Sequence, residues 1–97
     1  MKKPIENVPE MTNIQNACVL LIRELYKTER VGGDLHIVTD DCNVDTESLA
    51  WCELYINDRG REKTEIGKLE LAILWLLWLM TEEEREECVI KAWQTKI

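Results

Sequence analysis

The stretch that decides the fold is Leu69-Glu70-Leu71-Ala72-Ile73-Leu74-Trp75-Leu76-Leu77-Trp78-Leu79-Met80, in which Glu70 is the one polar residue. A helix on a protein surface has a single apolar stripe, whereas a helix that is apolar on every side has to be buried. The stretch therefore predicts a central helix around which the other helices of the chain pack.

This helix is too short to cross a membrane. Its twelve residues span about 18 Å, while the apolar core of a bilayer is about 30 Å thick. Lys63, Glu65 and Lys68 precede the stretch and Glu82 follows it, so the apolar run cannot be extended. We expect the central helix of a soluble domain, with no membrane contact.

One side of the central helix is expected to stay uncovered within a single subunit, because the chain is short and Trp75 and Trp78 are large. An apolar face of that size is typical of an interface. We predict a homo-oligomer, most simply a two-fold dimer in which the helix meets its own copy through Leu71, Leu74, Trp75 and Trp78.

The composition indicates one globular domain over residues 1–97, with 45% apolar and 32% charged residues. A net charge of −7 argues against direct binding to nucleic acid, whose phosphates attract Lys and Arg. The N-terminal residues are not followed by an apolar run of signal-peptide length, which favours a cytoplasmic location. In a reducing compartment we expect buried thiols rather than disulfides at the cysteines, which are Cys18, Cys42, Cys52 and Cys88.

Residues 1–10 contain two prolines and little pattern, and we interpret them as a loose arm. Thr12 and Gln15 have the spacing of a capping box, and an apolar stripe at i, i+3 and i+4 follows until Gly32-Gly33. A second helix is predicted over residues 46–57, the central helix from about residue 65, and a last helix after the capping box of Thr81 and Glu84. The fold class is all-α, a small four-helix domain.

The segment between the first two helices is less regular. Leu35 to Val38 is partly β-branched and flanked by turn residues, so we predict one short extended segment at about residues 34–38. His36 with Asp40 and Asp41 has the chemistry of metal ligands or of an acid/base set. A zinc site with His36, Cys42 and Cys52 matches no common ligand spacing, and a loop whose polar side chains bond its own backbone is the simpler interpretation. We assign neither a metal nor a cofactor.

This segment resembles a stretch of small proteins encoded by phages and prophages of low-GC Gram-positive bacteria. The similarity covers about a quarter of the chain and lies in Gly32-Gly33-x-Leu35-His36-Ile37-Val38-x-Asp40-Asp41-x-Asn43, followed by Trp51-Cys52. Cys42 stands where glycine is expected. The resemblance implies an origin and not a mechanism, since no settled activity is attached to these proteins.

By analogy with compact phage proteins, we expect a host-directed binding protein rather than an enzyme. The first hypothesis is an accessory protein that counters a host system by sequestering a small nucleotide-type ligand at a subunit boundary. Its predicted ligand-binding residues are His36, Thr39, Asp40, Asp41, Asn43 and Arg30.

Two alternatives remain. One is an acidic inhibitor that binds a host protein directly, as a nucleic-acid mimic or an anti-CRISPR-like protein, for which the run Glu82 to Glu87 could imitate phosphates. The same run is also explained as the solvated first turns of a capped helix. The other alternative is a small metal-dependent hydrolase centred on His36, Asp40 and Asp41.

Overall fold

The computed structural model of the chain describes residues 11–28, 35, 38 and 44–94. No strand occurs within these ranges, which confirms the predicted all-α class and its four helices. The predicted arm at residues 1–10 lies outside the described residues. The elements are α1 (Asn13–Thr28), α2 (Thr46–Asp58), a 3₁₀ turn η1 (Arg61–Lys63), α3 (Glu65–Trp78) and α4 (Glu82–Gln94).

Capping boxes start α1 and α4, as the sequence predicts. The Thr12 N–H donates to Gln15 Oε1 (2.9 Å), and the Gln15 N–H donates to Thr12 Oγ1 (3.0 Å). The Thr81 N–H donates to Glu84 Oε1 (3.0 Å), and the Glu84 N–H donates to Thr81 Oγ1 (3.2 Å). Each box gives acceptors to two backbone donors that the first helical turn leaves unpaired.

Single side chains cap α2 and α3. Asp45 Oδ1 accepts the Ser48 N–H (2.8 Å), and Thr64 Oγ1 accepts the Gly67 N–H (2.9 Å). The bond from the Ser48 backbone, a side-chain bond with Ser48 and the charge of Arg85 lower the pKa of Asp45. The carboxylate therefore stays ionised at the N-terminus of α2, where the helix dipole favours an anion.

The same glutamine that closes the capping box of α1 also reaches α4. Gln15 is buried, and its Nε2 donates to Glu87 Oε1 (2.9 Å) and to the Glu84 carbonyl (3.3 Å). The first turns of α1 and α4 are thus joined by one side chain.

The predicted extended segment at residues 34–38 is not shown as a strand. Its two described residues, Leu35 and Val38, are both buried, and the Val38 N–H donates to the Leu35 carbonyl (3.0 Å). In a strand, residues three apart point to opposite faces. The turn at these positions instead allows both apolar side chains to be buried.

The central position predicted for residues 69–80 corresponds to α3, which packs against α1, α2 and η1, while α1 also packs against α4. The approach of η1 to α3 is close, because a methyl group at Gly67 would overlap the Arg61 carbonyl. The buried residues of α3 share a helical spacing of three and four, and they are Gly67, Glu70, Ile73, Leu74 and Leu77.

Glu70 is buried on that side of α3, with 1% of its surface exposed. Its Oε1 accepts bonds from Arg61 Nη2 (2.9 Å) and Arg61 Nε (3.2 Å). A buried carboxylate needs a charged, hydrogen-bonded partner. The one polar residue of the central stretch therefore forms an ion pair with Arg61, and this pair fixes η1 against α3.

Arg85 is a buried cation, and it is held by carbonyl oxygens. Its Nε donates to the Leu77 carbonyl (2.8 Å) and its Nη1 to the Val44 carbonyl (3.1 Å). Its guanidinium lies 5.8 Å from the centroid of the Trp78 ring. Arg85 thus joins α4 to the end of α3 and to the residues before α2.

We expect Arg61→Ala to lower the free energy of unfolding by about 3 kcal/mol, because the mutation leaves the Glu70 carboxylate buried without its cation. The double variant Arg61→Met/Glu70→Leu should lose much less, since it removes both charges. Urea unfolding followed by circular dichroism measures both, with the exposed Lys63→Ala as the control. A double variant less stable than Arg61→Ala would contradict this account.

Candidate interaction surface

The residues predicted to hold a ligand lie outside the described residues, and they are Arg30, His36, Thr39, Asp40, Asp41 and Asn43. Their arrangement stays a prediction. Of the three residues in the hypothetical zinc site, the structure describes Cys52 alone. Its side chain is fully buried on the core side of α2. The site that the structure does describe is a surface, and it lies on α2 and α3.

The four residues predicted at a subunit interface divide between the core and the surface. Trp75 is exposed, Leu71 and Trp78 are half-buried, and Leu74 is fully buried within the single chain. Leu74 is therefore a core residue, because it follows Glu70 by four positions and Ile73 by one on the buried side of α3. The predicted interface itself stays a prediction.

The solvent side of α3 carries a continuous apolar surface, which we call the α3 face and define as Leu71, Trp75, Trp78 and Leu79. Trp75 and Leu79 have 59% and 67% of their surface exposed. Leu71 and Trp78 pack partly against the core at the margins of the face. The spacing of four between Leu71, Trp75 and Leu79 aligns them along the helix.

The solvent side of α2 carries a stacked set that we call the aromatic ladder, defined as Trp51, Tyr55 and Arg59. The rings of Trp51 and Tyr55 have centroids 4.2 Å apart, and the Arg59 guanidinium lies 4.3 Å from the Tyr55 centroid. Leu54, 57% exposed, follows Trp51 on the same helix. The core side of α2 is formed by Leu49, Cys52 and Ile56.

Trp51 and Tyr55 lie within α2 at a spacing of four, whereas Arg59 is the C-cap residue just after its end. Its position four residues after Tyr55 is the sequence feature that identifies Arg59, since residues i, i+4 and i+8 lie along one line of a helix. The ladder is thus a feature that a pattern search for aromatic residues alone misses.

Three cations that could bind a phosphate have other partners. Arg61 bonds Glu70, Arg59 stacks on Tyr55, and Lys27 Nζ lies 3.7 Å from Glu24 Oε1 at the surface. Arg23 differs, because its Nε is buried and has no hydrogen-bond partner within the described part of the chain. Arg30 lies outside the described residues.

An open groove of about 380 Å³ lies between α1 and the start of α3. Two carboxylates and one ammonium line it, which makes the groove a poor site for phosphate. Its lining residues are Glu24, Thr28, Glu65, Ile66, Lys68 and Leu69.

The acidic run at the start of α4 is a solvent-facing surface. Glu82, Glu83, Glu86 and Glu87 are exposed, while Glu84 closes the capping box. Across the described ranges, no group of three or more His, Cys, Asp and Glu side chains is placed to hold a metal ion. None of the helices in these ranges combines the length and apolar character that crossing a bilayer requires.

The described cysteines, Cys18, Cys52 and Cys88, are buried thiols, as predicted. The Cys88 thiol lies 3.6 Å from the Gln15 carbonyl and 3.5 Å from Met80 Sδ. A hydrogen bond with Cys88, together with burial, raises the pKa of Cys18 far above the usual thiol range. Cys42 lies outside the described residues.

Comparisons of this chain with protein-family models, with curated proteins and with solved structures find no match.

We expect the three buried thiols to react with a thiol-specific chromogenic reagent only after the protein unfolds. In a Cys42→Ser variant, the native protein should label slowly, because all three thiols are buried. Unfolding in urea should then release three reactive thiols. One thiol that labels at once in the native variant would contradict the burial of this set.

Proposed function

We propose that this chain is a phage accessory protein that counters a host system by binding, and that it contacts a host protein through the solvent side of α2. The observation that carries the proposal is the aromatic ladder, with exposed Leu54 on the same helix. The phage origin rests on the resemblance of residues 32–43, and a host partner follows from that origin.

The ladder has the residue types that dominate binding energy at protein interfaces, where Trp, Tyr and Arg are enriched among hot spots. Trp51 and Tyr55 contact each other before any partner arrives, and Arg59 stacks on Tyr55. Because the side chains are already ordered, less conformational entropy is lost on binding. A preorganised apolar surface with one cation at its end suits a protein surface that offers an apolar pocket beside an acidic group.

The exposed glutamates of α4 support the same function in a second way. A surface that contains Glu82, Glu83 and Glu86 favours a basic partner and fast association at low salt. An acidic inhibitor that takes the place of nucleic acid on a host protein would use such a surface. The aromatic ladder would provide affinity, and the acidic run would provide selectivity.

Sequestration of a small nucleotide-type ligand at a subunit boundary is the second candidate. The Nε of Arg23, on α1, has no hydrogen-bond partner among the described residues, which favours this candidate, since a buried donor without an acceptor suits an anion. Its ligand-binding residues stay a prediction, and they are His36, Thr39, Asp40, Asp41, Asn43 and Arg30. A metal-dependent hydrolase built on His36, Asp40 and Asp41 also stays a prediction. Self-association of the chain, in the host cytoplasm, is part of the proposal in either case.

We expect the double variant Trp51→Ala/Arg59→Ala to weaken binding to the host partner by at least about 30-fold, which is the effect of losing roughly 2 kcal/mol at a hot spot. The full chain is immobilised and exposed to lysate of a low-GC Gram-positive host. Proteins retained by the wild type and lost with the variant are identified, and the purified partner is titrated by calorimetry.

Leu20→Ala is the control, because Leu20 is also an exposed apolar residue, at 62% on α1, and lies outside the ladder. Arg59→Lys tests the stack itself, since lysine keeps the charge but loses the planar contact with Tyr55. If no retained protein distinguishes the double variant from Leu20→Ala, the α2 surface is not the contact and the proposal is wrong.

A further inference from the structure

The α3 face is uncharged along its whole length. Between Lys68 and Glu82 the one charged residue is Glu70, which is buried and bonded to Arg61. Each chain has a net charge of −7, so most of its surface repels another copy. The α3 face is a place where two copies meet without bringing acidic side chains together at the centre.

From these features we propose that a second copy of this chain covers the α3 face, with the two α3 helices antiparallel about a two-fold axis at Trp75. The inference rests on the self-association included in the proposed function. It concerns α3 and not the aromatic ladder, so the two proposals can fail separately.

The charges at the two ends of the face select the antiparallel arrangement. Lys68 lies near the N-terminal end of the α3 face, and Glu82 begins α4 three positions after Leu79; both are exposed. In antiparallel packing, the end of the face that carries Lys68 lies beside the opposite end of the partner's face, where the chain leads into the acidic start of α4. Parallel packing would instead place Lys68 beside its own copy and Glu82 beside its own copy, which is unfavourable.

The apolar residues follow the same register. Leu71 and Leu79 lie four positions on either side of Trp75, so antiparallel packing sets Leu71 against the partner's Leu79. The two Trp75 rings meet at the axis. A two-fold interface of this kind is self-complementary, because every contact occurs twice.

The area of the face sets the expected strength of the dimer. Trp75 and Leu79 together expose roughly 300 Å² of side chain, and a stable complex buries about 800 Å² on each partner. The dimer should therefore be reversible and should dissociate on dilution.

Sedimentation velocity on the full chain over a dilution series tests whether a second copy covers the α3 face. The wild type should shift from dimer to monomer on dilution, and Trp75→Glu should weaken the association at least about tenfold. Leu54→Glu, a comparably exposed apolar residue on α2, should leave it unchanged. Circular dichroism checks that each variant keeps its helices. A wild type that is monomeric at every concentration, or a folded Trp75→Glu that dimerises as well as the wild type, would overturn the proposal.

Disulfide trapping tests the orientation in a Cys42→Ser background, where the described native thiols are buried. A chain with Lys68→Cys is mixed with a chain with Glu82→Cys and oxidised mildly. The antiparallel dimer should give the mixed disulfide in excess over the Lys68→Cys homodimer. A dominant Lys68→Cys homodimer would show parallel packing and would overturn the proposed register.

The two proposals give different patterns of failure. Loss of dimerisation in Trp75→Glu with host binding retained supports the α3 dimer and leaves the ladder as the host contact. A wild type that stays monomeric but loses host binding in Trp75→Glu assigns the α3 face to the host protein, which would overturn the second copy as its occupant.

Discussion

An apolar helix can be covered only as far as the chain has other elements to pack against it. In this protein α3 contacts α1, α2 and η1, and its buried side from Gly67 to Leu77 takes up those contacts. Trp75 and Leu79 are left in water as a consequence. The α3 face is therefore produced by the same constraint that places α3 at the centre.

The polar groups inside the chain fix the elements around α3. Glu70 requires a cation, and Arg61 supplies it from η1, which approaches closely because residue 67 is glycine. Arg85 fills a similar role at the other end of α3, where carbonyl oxygens rather than a carboxylate hold it. Glu70 and Arg85 thus hold the segments that connect the helices in place, and the apolar residues provide most of the buried surface.

The helices were predictable because their signals are local. The capping boxes of Thr12 with Gln15 and of Thr81 with Glu84 span four residues each, and the apolar spacing needs only a few turns. Leu74, predicted at an interface, is fully buried within the single chain; the sequence does not show this, because an all-apolar helix has no polar side to mark which residues face the core. The partner of Glu70 was missed because Arg61 lies nine positions away, across the turn that starts α3.

The candidate site was less predictable than the fold. Arg59 joins Trp51 and Tyr55 only through a stacking contact, which no charge pattern reveals. The buried turn at Leu35 and Val38 depends on packing against the core rather than on the β-branched residues around it. The ligand-binding residues predicted between Arg30 and Asn43 lie outside the described residues, so the site proposed on α2 comes from the structure.

Gln15 has a consequence for how the molecule opens. Its amide closes the first turn of α1 and at the same time bonds Glu84 and Glu87 on α4. Unfolding the first turn of either helix therefore breaks hydrogen bonds at the start of the other helix. Local unfolding at the two N-termini should be a single cooperative event, so their backbone amides would exchange with deuterated solvent at linked rates although they lie about seventy residues apart in the chain.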